Sequence, residues 1–318
     1  MEDELQTTNN TLDLLRDQIN AVVKGQDEVV SFLLTTLLAD GHALIEGLPG
    51  VAKTLTARLI SRLVDARFSR IQMTADLMPS DVLGLSIFNM ANSQFEFHPG
   101  PVFADIVLVD EINRAPAKTQ SALFEVMEER QATIDGKKYN MGDTFTIFAT
   151  QNPIEQEGTY RLPEAQMDRF LMKVKVGYPA QDAEKEMLLL HREKVGFQRL
   201  NDIKPVISLS ELAELRAKVK KTWIEDKLVD YIIRLVSTTR SHPHIFVGAS
   251  PRASIALMQA SQAYALLNGR DFVVPDDIKR LAVPVLAHRL TLTAEAEMDG
   301  RTVEAIIKVI AEQTCVPQ

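Results

Sequence analysis

The sequence predicts an α/β protein: a parallel-sheet domain carrying a P-loop and two inserted β-hairpins, followed by an all-helical domain. Three observations carry that reading. Short apolar runs alternate with longer segments of helical spacing through the first half, which is the pattern of a doubly wound parallel sheet. One of those runs leads directly into Gly47-Leu48-Pro49-Gly50-Val51-Ala52-Lys53-Thr54. After Gly177-Tyr178-Pro179 only helical spacing remains, so the boundary is expected there, with domains at 1–179 and 180–318.

The elements follow in order. Residues 27–39 have helical apolar spacing and His42–Glu46 is a short strand. A helix is expected from about Lys53 to Val64, then a strand at Arg67–Met73. Ala104–Val109 is apolar on both faces, as a strand buried in a parallel sheet must be. Residues 116–129 resume helical spacing, with Pro116 in the first turn. Phe145–Thr150 and Leu171–Val176 are further strands. Residues 84–98 alternate apolar and polar around an Asn-Ser centre, and residues 131–144 hold the turn pair Asp135-Gly136, so both read as hairpins. Beyond Pro179, residues 182–194, 208–221, 225–240, 250–268, 275–288 and 300–313 read as helices. Ser208 with Glu211 forms a capping box, and Ser250-Pro251 an N-cap followed by a first-turn proline.

Composition removes other classes. With 46% hydrophobic and 25% charged residues among 318, collagen-like, coiled-coil and wholly disordered chains drop out. A net charge of −8 disfavours a grip on duplex DNA through phosphate neutralisation. The one cysteine, Cys315, can form no internal disulfide, which points to a reducing, cytoplasmic setting. The polar, acidic first residues are unlike a secretory signal, and no apolar run approaches a membrane span.

The P-loop pattern places backbone N–H groups at a helix N-terminus, where they converge on a β-phosphate. Lys53 would reach the β- and γ-phosphates and Thr54 would put its hydroxyl on Mg²⁺. Ala52 departs from the pattern, which has glycine there, and a right-handed backbone is expected for it. The nucleotide-binding set comprises Gly47, Pro49, Gly50, Val51, Ala52, Lys53, Thr54 and Leu55. Asp110-Glu111 closes the apolar strand Ile106–Val109, at the carboxyl end where open α/β sheets bind ligands. Asp110 can hold Mg²⁺ together with Thr54, and Glu111 can orient an attacking water. Asn152, after a third apolar strand, can help hold that water. Asn-Pro is also an ordinary turn initiator. No Asn-Lys-x-Asp base-recognition motif occurs, which disfavours a GTPase.

The set GLPGVAKT, DIVLVDEINRAP, FATQNP, GTYRLPEAQMDRF and GASPRA, running from about Lys24 to beyond Arg252, closely resembles the MoxR family of AAA+ ATPases. That resemblance implies an AAA+ sheet domain with a helical lid, binding ATP and Mg²⁺ and hydrolysing ATP as a mechanochemical motor. By resemblance Lys53 and Thr54 match Walker A, Asp110 and Glu111 Walker B, and Asn152 sensor 1. Arg169 matches the arginine finger that reaches a neighbouring subunit's nucleotide. Arg252 matches sensor 2, expected to point back at the phosphates, and Gly25-Gln26 lies in the segment lining the adenine pocket. The resemblance further implies a homo-hexameric ring, a chaperone-like role and protein clients bearing von Willebrand A domains. A DNA-remodelling motor and the motor subunit of a metal chelatase are the alternatives. Arg161 departs from relatives, which often carry a small residue or proline there.

Other signals read blandly. His242 and His244 lack a neighbouring carboxylate for a metal, and Lys218, Lys220 and Lys221 cluster at a helix end, where cations oppose the helix dipole. Trp223 and the methionines are expected in the core, and Glu128-Glu129-Arg130 at a solvated helix end.

Overall fold

Apolar strands that must bury both faces need helices on each side, and the chain supplies them. The computed structural model describes residues 2–153, 160, 162–192 and 203–316; Arg161 and the end of the helix expected at 182–194 lie outside them. Two N-terminal helices, α1 (Glu2–Val22) and α2 (Asp27–Leu38), precede β1 (Ala43–Gly47), α3 (Lys53–Leu63) and β2 (Phe68–Gln72). A short α4 (Pro79–Leu83) leads to the hairpin β3 (Gly84–Asn89) and β4 (Gln94–Pro99). Next come β5 (Ile106–Asp110), α5 (Ala117–Glu129), the hairpin β6 (Gln131–Ile134) and β7 (Lys137–Asn140), β8 (Thr146–Gln151), α6 (Glu164–Met167) and β9 (Met172–Val176).

The five-stranded sheet has the order β2-β5-β8-β1-β9 and every pairing is parallel. Alternation sorts its side chains between two cores. Ile45, Ile106, Leu108 and Phe148 face the layer containing α1, α2 and α3. Leu44, Val107, Val109, Ile147 and Ala149 face the layer containing α5. Register puts Gln72 opposite Asp110 and Glu46 opposite Gln151, so the ends of four strands line one edge of the sheet. Both hairpins form where expected, and Asp135 and Gly136 take the positive φ values, 50° and 76°, that a tight hairpin turn requires.

Beyond β9 the chain is helical: α7 (Gln181–Arg192), α8 (Leu209–Val219), α9 (Asp226–Ser241), α10 (Pro251–Leu267), α11 (Pro275–Leu286), α12 (Ala294–Met298) and α13 (Val303–Gln313). The capping box at Ser208 and Glu211 is present. Ser250 caps α10 by position, with Pro251 following it, but its hydroxyl leans toward Asp168. Strands do not end at Pro179, however. Ile245–Val247 (β10) and Thr291–Leu292 (β11) pair as a small antiparallel ribbon, too short to stand out from the helices around it. Pro116 is the N-cap of α5, one position earlier than expected. Trp223 is 67% exposed, and Met78, Met90 and Met298 are exposed as well, so these residues are not core. Arg216 of α8, itself buried, donates to the Leu37 and Asp143 carbonyls and to the Thr146 hydroxyl, fastening the helical region to the sheet.

His42, at the foot of β1, is also buried. Its Nδ1 accepts the Ile147 N–H at 2.9 Å, which leaves Nε2 to donate toward the Met127 carbonyl at 3.3 Å. Burial, then the nearby Arg130 charge, push its pKa down to about 3 from an ordinary 6.5. The unfolded chain therefore binds a proton that the folded chain excludes between those values. This residue's contribution to stability is fully present above pH 6.5 and lost as pH falls toward 3, by at most about 1.4 kcal/mol per pH unit. Denaturant titrations should show that decline in the parent protein and a shallower one in His42→Gln.

Candidate functional site

The P-loop begins where β1 must end. A Cβ on Gly47 would lie 2.6 Å from the Val176 carbonyl of β9, so only glycine fits beside that strand. Gly50 has φ +85° and open space around it, which leaves the loop free to wrap an anion. Ala52 corrects the sequence expectation: φ 62°, ψ 17° is left-handed, so the alanine occupies a conformation that costs an L-residue about 1 kcal/mol. It is the N-cap of α3, and the loop must turn there to aim the next N–H groups inward. Lys53 opens α3 and folds its ammonium back onto the Gly47 carbonyl.

Three further strands bring their ends to this loop. Asp110, 6% exposed, closes β5; its Oδ1 accepts the Thr150 hydroxyl at 3.1 Å and its Oδ2 accepts Arg70 Nε at 2.6 Å. Glu111 follows in a left-handed conformation that turns its side chain off the strand line. Its N–H donates to Thr150 Oγ1 at 2.9 Å, and its Oε2 accepts Gln72 Nε2 at 2.8 Å and pairs with Arg114 Nε at 3.1 Å. Thr150 thus ties the two acids together, and Gln72 and Arg114 hold the Glu111 carboxylate. Asn152, nearly buried, comes next after β8.

These groups enclose a cleft of about 400 Å³. Of the expected residues, Pro49, Gly50, Ala52, Lys53, Thr54 and Leu55 line one wall, and Asp110, Glu111 and Asn152 the other. Val51 instead faces the core, 6% exposed. Gln26 donates to the Gly177 carbonyl at 3.0 Å. A Cβ on Gly25 would meet Ala183 at 2.6 Å, so this segment packs on the link between the sheet and the helices. Arg70, Gln72 and Thr150 also line the cleft, and sequence reasoning passed over all three. Their only sequence signal is a polar side chain within or at the end of an otherwise sheet-forming run.

The two remaining arginines are elsewhere. Arg252 does not point back at the cleft as expected; its Nη2 donates to Glu128 Oε1 at 2.8 Å. Arg169 pairs with the other oxygen of that carboxylate at 3.5 Å. The end of α5 is therefore not merely solvated: Glu128 holds both arginines, and Arg130 pairs with Asp40 at 2.8 Å. Among the described residues no group of three or more His, Cys, Asp or Glu side chains can hold a metal, which includes His242 and His244. The oxygens of Thr54 and Asp110 nonetheless suit Mg²⁺, a hard cation bound by one or two protein ligands together with substrate phosphates.

A strand-loop-helix anion cradle facing paired acids on a parallel sheet, followed by a helical region, defines a P-loop ATPase fold with a lid. The profile of the ATPase family associated with various cellular activities (AAA) matches residues 42–172, and that of the AAA lid domain residues 237–310. The chain belongs to the MoxR family of AAA+ ATPases. It is 42% identical to Chaperone MoxR1 of Mycobacterium tuberculosis, over 97% of this chain and 83% of that protein. Identity to the uncharacterized protein YeaC of Bacillus subtilis is 46%, over 95% and 93% of the two chains. A crystal structure from Cytophaga hutchinsonii, of a protein assigned as an ATPase, superposes with a TM-score of 0.91 at 39% identity, covering 100% of this chain and 98% of that one.

Removing the Lys53 ammonium should cost most of the nucleotide affinity, because the loop then presents only backbone dipoles to the phosphates. Lys53→Ala is expected to weaken ATP binding at least tenfold by calorimetry, an effect of about 1.4 kcal/mol or more.

Proposed function

We propose that the protein is a Mg²⁺-dependent ATPase that works as a homo-hexameric ring and remodels or matures protein clients. The reading rests above all on the convergence of Lys53, Thr54, Asp110, Glu111 and Asn152 at one cleft, from the ends of neighbouring parallel strands. The backbone of residues 49–54 and Lys53 bind the β- and γ-phosphates, and Thr54 and Asp110 hold Mg²⁺, which neutralises charge on the transferred phosphoryl group. Asn152 and Glu111 orient the attacking water, once Glu111 has exchanged Gln72 and Arg114 for it. Gly25 and Gln26 border the adenine. Residues 1–179 form the ATP-binding domain and 180–318 the lid, and the angle between them carries the motion to the client. Arg169 completes the site of an adjoining copy.

A protein client is favoured over nucleic acid by the hairpin β3–β4. It exposes Leu85, Ile87, Phe88, Met90 and Phe95 and contains no Lys or Arg, a surface suited to apolar contact rather than phosphate. By family likeness, proteins with von Willebrand A domains are the candidate clients. Among the described residues no helix is long and apolar enough to cross a membrane. The cytoplasmic setting in this reading rests on the lone cysteine, Cys315. Phosphate release measured with Mg²⁺, with chelator and with duplex or single-stranded DNA tests the reading. Turnover that needs Mg²⁺ and ignores DNA is expected; strong stimulation by DNA would favour a nucleic-acid motor instead.

A further inference from the structure

Glu128 lies in the last turn of α5, in the sheet domain, yet its carboxylate is shared by two arginines from distant parts of the chain. Oε1 accepts Arg252 Nη2 at 2.8 Å, from the first turn of α10. Oε2 faces Arg169 Nε at 3.5 Å, just beyond α6.

The backbone carrying Arg169 is fastened to the lid as well. Asp168 accepts Arg289 Nε at 2.6 Å and the Ser250 hydroxyl at 3.4 Å. Arg289, its side chain 4% exposed, also donates to the Asp168 and Phe170 carbonyls at 3.2 and 2.8 Å. The turn bearing Arg169 is thus held by lid residues, whereas its guanidinium faces Glu128 of the sheet domain. Two cations held side by side repel; one carboxylate between them offsets that repulsion and leaves the group with net positive charge for a phosphate. Neither arginine lines the phosphate cleft of its own chain.

We propose that Glu128 is a positioning residue for Arg169, and that Arg252 links this aim to the lid by sharing the same carboxylate. Lid rotation makes or loosens the Arg252–Glu128 pair, and the Arg169 head group is presented to an adjoining copy's γ-phosphate accordingly. The proposal rests on the reading of Arg169 as the arginine finger. It assigns Glu128 no contact with nucleotide.

Steady-state phosphate release by full-length Glu128→Ala and Glu128→Gln, alone and combined with Arg169→Ala, tests it. Mispositioning a charged group by about 1 Å can cost about 10²-fold, so kcat should fall about 10- to 100-fold. KM for ATP and nucleotide affinity should stay within about twofold, since the chain's own cleft is untouched. Glu128→Asp, which keeps the charge on a shorter stem, should recover part of the rate. On the Arg169→Ala background, Glu128→Ala should cost nothing further, whereas a general loss of packing would lower both backgrounds alike. Thermal unfolding of Glu128→Gln, which keeps the side-chain shape, guards against misfolding. Parent turnover in Glu128→Ala while Arg169→Ala is inactive would overturn the proposal alone. A raised kcat would overturn it too, making Glu128 a restraint. Parent turnover in Arg169→Ala would remove the finger reading and the proposal together.

Discussion

Arg169→Ala is expected to bind ATP as the parent does and to hydrolyse it about a thousandfold more slowly. An arginine finger acts only on charge that develops as the phosphoryl group departs, and such residues contribute about 10³–10⁵ in kcat. The proposed finger role fits where Arg169 sits in its own chain. It lies outside the cleft, with its side chain 28% exposed, and leans on Glu128. Binding by calorimetry should therefore be unchanged while phosphate release collapses. Arg169→Lys should rescue little, because an ammonium lacks the planar fork that spans two phosphate oxygens.

Glu111→Gln is expected to separate binding from turnover in a second way. The amide keeps the shape and one acceptor oxygen, and Lys53, Thr54 and Asp110 are untouched, so ATP affinity should stay within a fewfold. It loses the charge that draws a proton from the attacking water. Groups doing such work contribute about 10²–10⁴-fold, and phosphate release should fall accordingly. In the structure Glu111 is held by Gln72 and Arg114. Gln72→Ala should leave Glu111 less restrained and have a far smaller effect, which distinguishes the reacting carboxylate from its partner. Normal turnover in Glu111→Gln would remove Glu111 from the chemistry.

Much of this was legible in the sequence because it is local. Ile106–Val109 is apolar on both faces, and a run that short and unbroken fits a central parallel strand, which β5 is. Asp135-Gly136 announces its turn because those residues tolerate positive φ. The P-loop is contiguous, so Lys53 and Thr54 could be placed before any tertiary contact was known. What escaped depends on distance. Glu128 meets Arg169 and Arg252 only after 41 and 124 intervening steps of chain fold back on α5, and nothing in the local pattern separates it from the solvent-facing Glu129. Arg70 and Gln72 reach Asp110 and Glu111 through strand register, which hydrophobic pattern alone does not give. Ala52 escaped for a different reason: helix propensity argues for a right-handed alanine, and the geometry of the loop overrides it.

The central claim is that one chain supplies the cleft and another the finger. The direct test mixes Lys53→Ala subunits, which keep Arg169, with Arg169→Ala subunits, which keep the cleft. Each variant alone should be inactive. Random mixing in equal amounts, after subunit exchange, should restore phosphate release to on the order of a quarter of the parent rate, since only head-to-tail pairs with one intact cleft and one intact finger can work. A mixture as inactive as its two components would contradict a site shared between subunits.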